Sequence, residues 1–113
     1  MQVTVKSGDK EFSQLRKLAA QRAQFVIRRL TWLVPRAKVY LSDVNGPRGG
    51  IDKRCQVELQ TDSMGTIVVT SMARDWRSAL DNALERAARV LTRSLHRNRD
   101  RGRLRRQTLS FDN

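Results

Sequence analysis

Cysteine is nearly absent from this 113-residue chain, with Cys55 standing alone. No intrachain disulfide can form, so the fold must rest on packing, as suits a reducing compartment. Cys55 falls on the apolar side of an alternating segment, with no basic neighbour pattern that marks it as reactive, and reads as a structural residue. Histidine is as scarce, represented by His96 only. A general base needs a partner to orient it and a pocket to work in; the sequence offers neither, and no catalytic constellation is visible. Acidic residues are few, 11 against 23 Lys plus Arg, for a formal net charge of +12. Asp43, Asp52, Glu58 and Asp62 lack metal-ligand spacing, so no metal or other cofactor is expected. No apolar run approaches the length that crosses a bilayer. The start, Met1 to Lys6, alternates like a strand and lacks the apolar stretch of a signal peptide. A soluble, cytoplasmic protein is expected, with no small-molecule substrate. Interfacial membrane binding is also not expected, because no helix offers an exposed bulky apolar face.

What is present reads as one domain over residues 1–97, followed by an arginine-rich tail over 98–113. Val3 and Val5 alternate with polar residues, a first strand broken by Gly8 and Asp9. Phe12, Leu15, Leu18, Ala19, Phe25, Val26 and Leu30 then fall largely on one side of a helix. Asp9 or Ser13 is placed to cap it, and Pro35 enforces its end. A second strand spans about Arg36 to Val44, with Ala37, Val39 and Leu41 on one face. Asn45 to Gly50 is a turn by composition; it lacks the spacing and Lys-Ser/Thr ending of a phosphate loop. A third strand sets Ile51, Lys53, Cys55, Val57 and Leu59 against Asp52, Arg54, Gln56, Glu58 and Gln60. Lys53 alone spoils the apolar set, near the strand end where its ammonium can snorkel. Ser63-Met64-Gly65 reads as a hairpin turn and Thr66 to Met72 as a fourth strand. Asp75 is an N-cap candidate for a second helix from Trp76 to about Arg97, with Leu80, Ala83, Ala87 and Leu91 at helical spacing. Trp32 and Trp76 could stack on bases, but at apolar helical positions they read as core. The tail is too charged and too poor in apolar residues to pack, and disorder in the free protein is expected. The order is β-α-β-β-β-α, an α+β fold. Its economical solution is a four-stranded sheet with both helices on one face.

The charge is not spread evenly. Arg86, Arg89, Arg93 and Arg97 are spaced by three, four and four, which places them in one stripe beside the apolar face of the second helix. Asn82 precedes them on the same line. The tail adds Arg99, Arg101, Arg103, Arg105 and Arg106, and between Arg86 and Arg106 Asp100 is the one acid. Ion-pair decoration cannot explain such a run. Phosphate binding can, since arginine offers paired planar donors and a row of them releases condensed counterions from a nucleic acid. The first helix contributes Arg16, Lys17, Arg22, Arg28 and Arg29, for any one of which a solvated helix surface is an equal reading. If both helices share one side of the sheet, their basic flanks could meet in a single groove.

The element order resembles the ribosome hibernation-promoting factor (RaiA-type) family. So do Val39-Tyr40-Leu41-Ser42-Asp43 and the segment from Asn45-Gly46-Pro47 to Arg54-Cys55, and the stretch from Asp75 through Ala79, Ala83, Leu84 and Arg86 to Arg97 is similar to that family's last helix. The resemblance covers roughly residues 1–101. It implies binding to the small ribosomal subunit and its rRNA between head and body. There the protein would occupy the space of messenger and transfer RNA and silence translation in stationary phase or stress. It assigns RNA contacts to Arg86, Arg89 and Arg93, then to Arg97 and Arg99, with Arg16 and Arg22 at positions that are basic in the family. Arg101 extends the series. Longer members carry a second domain that dimerises ribosomes, an activity not expected from the arginine-rich tail seen here. The Thr31-Trp32-Leu33-Val34 segment also departs from the family's usual helix end.

Two other readings are open. The α-β-β-β-α portion has the topology of a double-stranded-RNA-binding domain, although Arg74-Asp75-Trp76-Arg77-Ser78 lacks the lysine cluster such domains carry there. A protein-binding regulator could use the mixed-charge outer face of the sheet.

Overall fold

The computed structural model describes residues 1–7, 13–44 and 52–111, with the backbone alone at 13 and at 99–111. The elements are β1 (Gln2–Ser7), α1 (Ser13–Val26), a 3-10 turn (Thr31–Leu33), β2 (Arg36–Asp43), β3 (Lys53–Gln60), β4 (Thr66–Ala73) and α2 (Trp76–Phe111). This is the expected β-α-β-β-β-α order. The break at Gly8 and Asp9, Phe12, the capping side chain of Asp9 or Ser13, the turn from Asn45 to Gly50, and Ile51 lie outside what is described.

The sheet runs β1-β2-β3-β4. β1 pairs parallel with β2, Val3 opposite Ala37 and Val5 opposite Val39; β2–β3 and β3–β4 are antiparallel. The parallel pair requires a crossover, which α1 supplies. The β3–β4 pair is closed by a short turn in which Gly65 takes φ +75, a left-handed conformation that glycine adopts without steric cost. Thr61 N–H donates to the Gly65 carbonyl at 3.1 Å.

Strand alternation sorts the residues as expected. Ala37, Val39, Leu41, Cys55, Val57, Leu59, Ile67 and Val69 are buried on one face, where they meet Ala19, Ala23 and Ile27 of the α1 segment and Ala79, Leu80, Ala83, Leu84, Ala87 and Leu91 of α2. Both helices therefore cover a single face. Small residues lead where helices meet the sheet, so the backbones can approach closely. The opposite face carries Lys38, Tyr40, Gln56 and Glu58, half-exposed, in cross-strand register.

Three expectations about burial fail. Phe25 is 54% exposed and Trp32 66% exposed; neither is core. The reason is local. Regular α-helix stops at Val26, and the chain tightens into i→i−3 bonds, Arg28 N–H to Phe25, Leu30 to Ile27, Leu33 to Leu30 and Val34 to Thr31. Phe25 itself lies within regular helix. Ala19, Ala23 and Ile27 form the four-residue row that is buried, and two residues past Ala23 it points about 160° away from that row. Trp32 follows in the tightened segment, where each residue advances by more than the α-helical step. The third failure is Asp52, placed by alternation on the polar face but 1% exposed. It precedes the first residue of β3, where alternation does not govern. Its backbone carbonyl accepts from Val44 N–H at 2.8 Å.

Candidate nucleic-acid interface

α2 begins on a built cap. Asp75 accepts from the Ser78 backbone N–H at 2.7 Å and from the Ser78 hydroxyl at 2.9 Å, satisfying a helix donor that would otherwise lack a partner. These bonds favour the ionised carboxylate and hold its pKa below the usual range. The helix then runs to Phe111, past the end expected near Arg97. Among the described side chains, its last fully buried residue is Leu91.

Arg86, Arg89, Arg93 and Arg97 are all exposed on α2, but they differ in what holds them. Arg86 Nη1 donates to the Thr70 carbonyl at 2.9 Å, which pins it against β4, an edge strand of the sheet. Arg97 Nη2 lies 3.4 Å from Ser94 Oγ, and both residues line a pocket of about 330 Å³ beside the hairpin turn at Ser63 and Met64. Arg89 and Arg93 engage no hydrogen-bond or ion-pair partner among the described residues. With Ala88 and Thr92 they line an open depression of about 580 Å³. Two unengaged guanidiniums one helical turn apart present their full donor sets outward. Asn82 is exposed on the same helix and His96 is solvated. Arg99 and Arg101 continue on the helical backbone, their side chains outside the described residues.

On α1, Arg16 is exposed, whereas Arg22 is engaged. Its Nε donates to Asp81 of α2 at 3.0 Å, with the two side chains 30% and 25% exposed. This pair ties the helices together. Asp81 and Arg86, five residues apart, stand about 140° apart around α2. Arg86 therefore lies on the flank away from α1, toward β4, and Arg22, held by Asp81, does not meet it in one shared groove.

The remaining candidates hold structural places. Cys55 is fully buried, and burial pushes its thiol up to about 12, which keeps it protonated and unreactive. Lys53 does snorkel as expected: its ammonium reaches Asp43 at 2.6 Å, Asp52 at 3.5 Å, and lies 5.4 Å from the Trp76 ring centroid. Among the described residues no group of three or more His, Cys, Asp or Glu side chains could hold a metal ion. No described helix is long and apolar enough to cross a membrane.

No family model matches the sequence, and no curated protein matches it. Solved structures do. A ribosomal subunit interface protein from Coxiella burnetii superposes with a TM-score of 0.67 at 11% identity, over 82% of this chain and 96% of that one. The N-terminal domain of Protein Y from Thermus thermophilus gives 0.65 at 21% identity, over 82% and 98%. At such identities the likeness is one of architecture, and it extends over nearly the whole of both neighbours. The chain thus has the fold of the ribosome hibernation-promoting factor family, the family its sequence resembles.

Proposed function

We propose that this protein binds the small ribosomal subunit through its rRNA, in the decoding channel, and silences translation by excluding messenger and transfer RNA under stress or in stationary phase. The observation that carries this reading is the row Arg86, Arg89, Arg93 and Arg97, exposed on one flank of α2, within a fold shared with a ribosomal subunit interface protein. Steric occlusion asks for no chemistry from the protein. It asks for a rigid body held by many phosphate contacts, and a helix packed on a sheet through Leu80, Leu84 and Leu91 is such a body. Residues 1–97 form the binding domain in this reading. The segment 98–113 is a cationic extension that orders on the RNA, with Arg99 and Arg101 as its first contacts and Arg16 as the contact from α1.

Asp75 argues against a general duplex-RNA binder. Its ionised carboxylate occupies the start of α2, where a double-stranded-RNA-binding domain sets lysines against phosphates, and an anion there repels them. The direct test of occlusion is binding of transfer RNA to messenger-programmed small subunits. The protein should reduce it in proportion to its own occupancy. Undiminished transfer-RNA binding at full occupancy contradicts the reading.

A further inference from the structure

Phe25 and Trp32 are large, aromatic and exposed in a chain where aromatics make up 5% of residues. Each is also held in place by its neighbours. The Arg28 guanidinium sits 4.3 Å from the Phe25 ring centroid, and its Nη1 donates to the Phe25 carbonyl at 2.9 Å. Arg22, fixed by Asp81, approaches the same ring at 5.6 Å. The Trp32 indole N–H donates to the Arg29 carbonyl at 3.2 Å, so the ring's polar edge is satisfied while the side chain remains 66% exposed.

We propose that Trp32, Phe25, Arg28 and Arg29 form a stacking site for an unpaired RNA base and its adjoining phosphates. Every base has a π-face, and stacking on an aromatic ring or on a planar guanidinium is the usual way proteins hold single-stranded segments. The Arg28–Phe25 pair is already a stacked layer that a base can extend, and Trp32 supplies a second ring. Charge selects the ligand. From residue 13 to residue 42 the sequence contains no Asp or Glu, while Arg16, Lys17, Arg22, Arg28, Arg29, Arg36 and Lys38 fall within it. A hydrophobic protein interface would show a contiguous apolar patch; Phe25 stands between two guanidiniums instead, and Trp32 follows Arg28 and Arg29 closely in the chain.

The proposal rests on the reading of the protein as an RNA binder, but on neither the arginine row nor the ribosome. The test uses the full chain, a single-stranded oligouridylate, and a blunt RNA duplex. With Trp76→Phe, Trp32 is the sole indole, and the oligouridylate should quench its emission saturably; the difference between native and Trp32→Ala emission gives the same signal without Trp76→Phe. Trp32→Ala should weaken oligouridylate binding about tenfold, with duplex binding and the circular dichroism spectrum unchanged. Arg89→Glu with Arg93→Glu should weaken both RNAs yet leave the quench at saturation intact, which separates this site from the helix row. Oligouridylate bound as tightly by Trp32→Ala as by the native chain, with Trp32 emission indifferent to RNA, overturns the proposal and leaves the patch to a protein partner.

Discussion

Asp75 shows how much one side chain settles. Its bonds from Ser78 start α2 and depress its own pKa. A folded-state pKa below the unfolded one adds stability above the ordinary carboxylate range, near pH 4, and that stability is lost as pH falls through the depressed value. Asp75→Ala should therefore lower the thermal midpoint at neutral pH, and the gap from the native chain should close in acid. Asp75→Asn should keep the cap without its pH dependence. The Arg22–Asp81 pair, about a quarter exposed on each side, is screened by water and contributes about 0.5–1 kcal/mol. Asp81→Asn should cost no more than that in urea titration, and RNA affinity should not fall, since an acid has been removed beside Arg22. Cys55 should resist alkylation in the native protein at pH 8 and react at the rate of unfolding, because its thiol ionises only near 12. Asp75 and Cys55 were legible in the sequence, since a cap and an alternating strand are local patterns. The Arg22–Asp81 pair was not, because its partners are 59 positions apart and only the packing of two helices joins them.

Among the elements, the strands were the most readable. Period-two alternation survives any error in strand ends, so β2, β3 and β4 appear within a residue or two of their expected limits. α1 was read less well. Following the bulky apolar residues put Phe25 inside and overlooked Ala23 and Ile27, because the row that packs is led by small alanines four residues apart, which carry little hydrophobic signal beside a phenylalanine. In α2 the apolar spacing named the right face. Leu91→Ala, which empties a fully buried position, should cost about 2–5 kcal/mol. Beyond Arg97 the helix has no buried anchor among the described residues, and Gly102 and arginines at four-residue spacing disfavour a helix. Amide exchange should therefore be near-unprotected over 98–111 in the free protein and slow on RNA. Full protection without RNA would count against the coupled ordering proposed for the tail.

For the whole molecule, the +12 charge selected polyanions as partners without choosing among them. The fold narrows that choice by assigning the charge to places: Arg22 to the helix–helix contact, Arg86 to the β4 edge, and Arg89 and Arg93 to solvent. Because Arg89 and Arg93 engage no partner among the described residues, reversing their charge leaves the fold intact. Each phosphate-bound arginine so reversed should lower the salt dependence of binding by about one unit of slope. The most direct measurement is sucrose-gradient sedimentation of the native chain and of Arg89→Glu/Arg93→Glu with purified ribosomal subunits at moderate salt. The native protein should travel with the small subunit, and the double variant, equally folded, should remain at the top of the gradient. A native protein absent from the small-subunit fraction, or a double variant that sediments with it undiminished, would contradict the account.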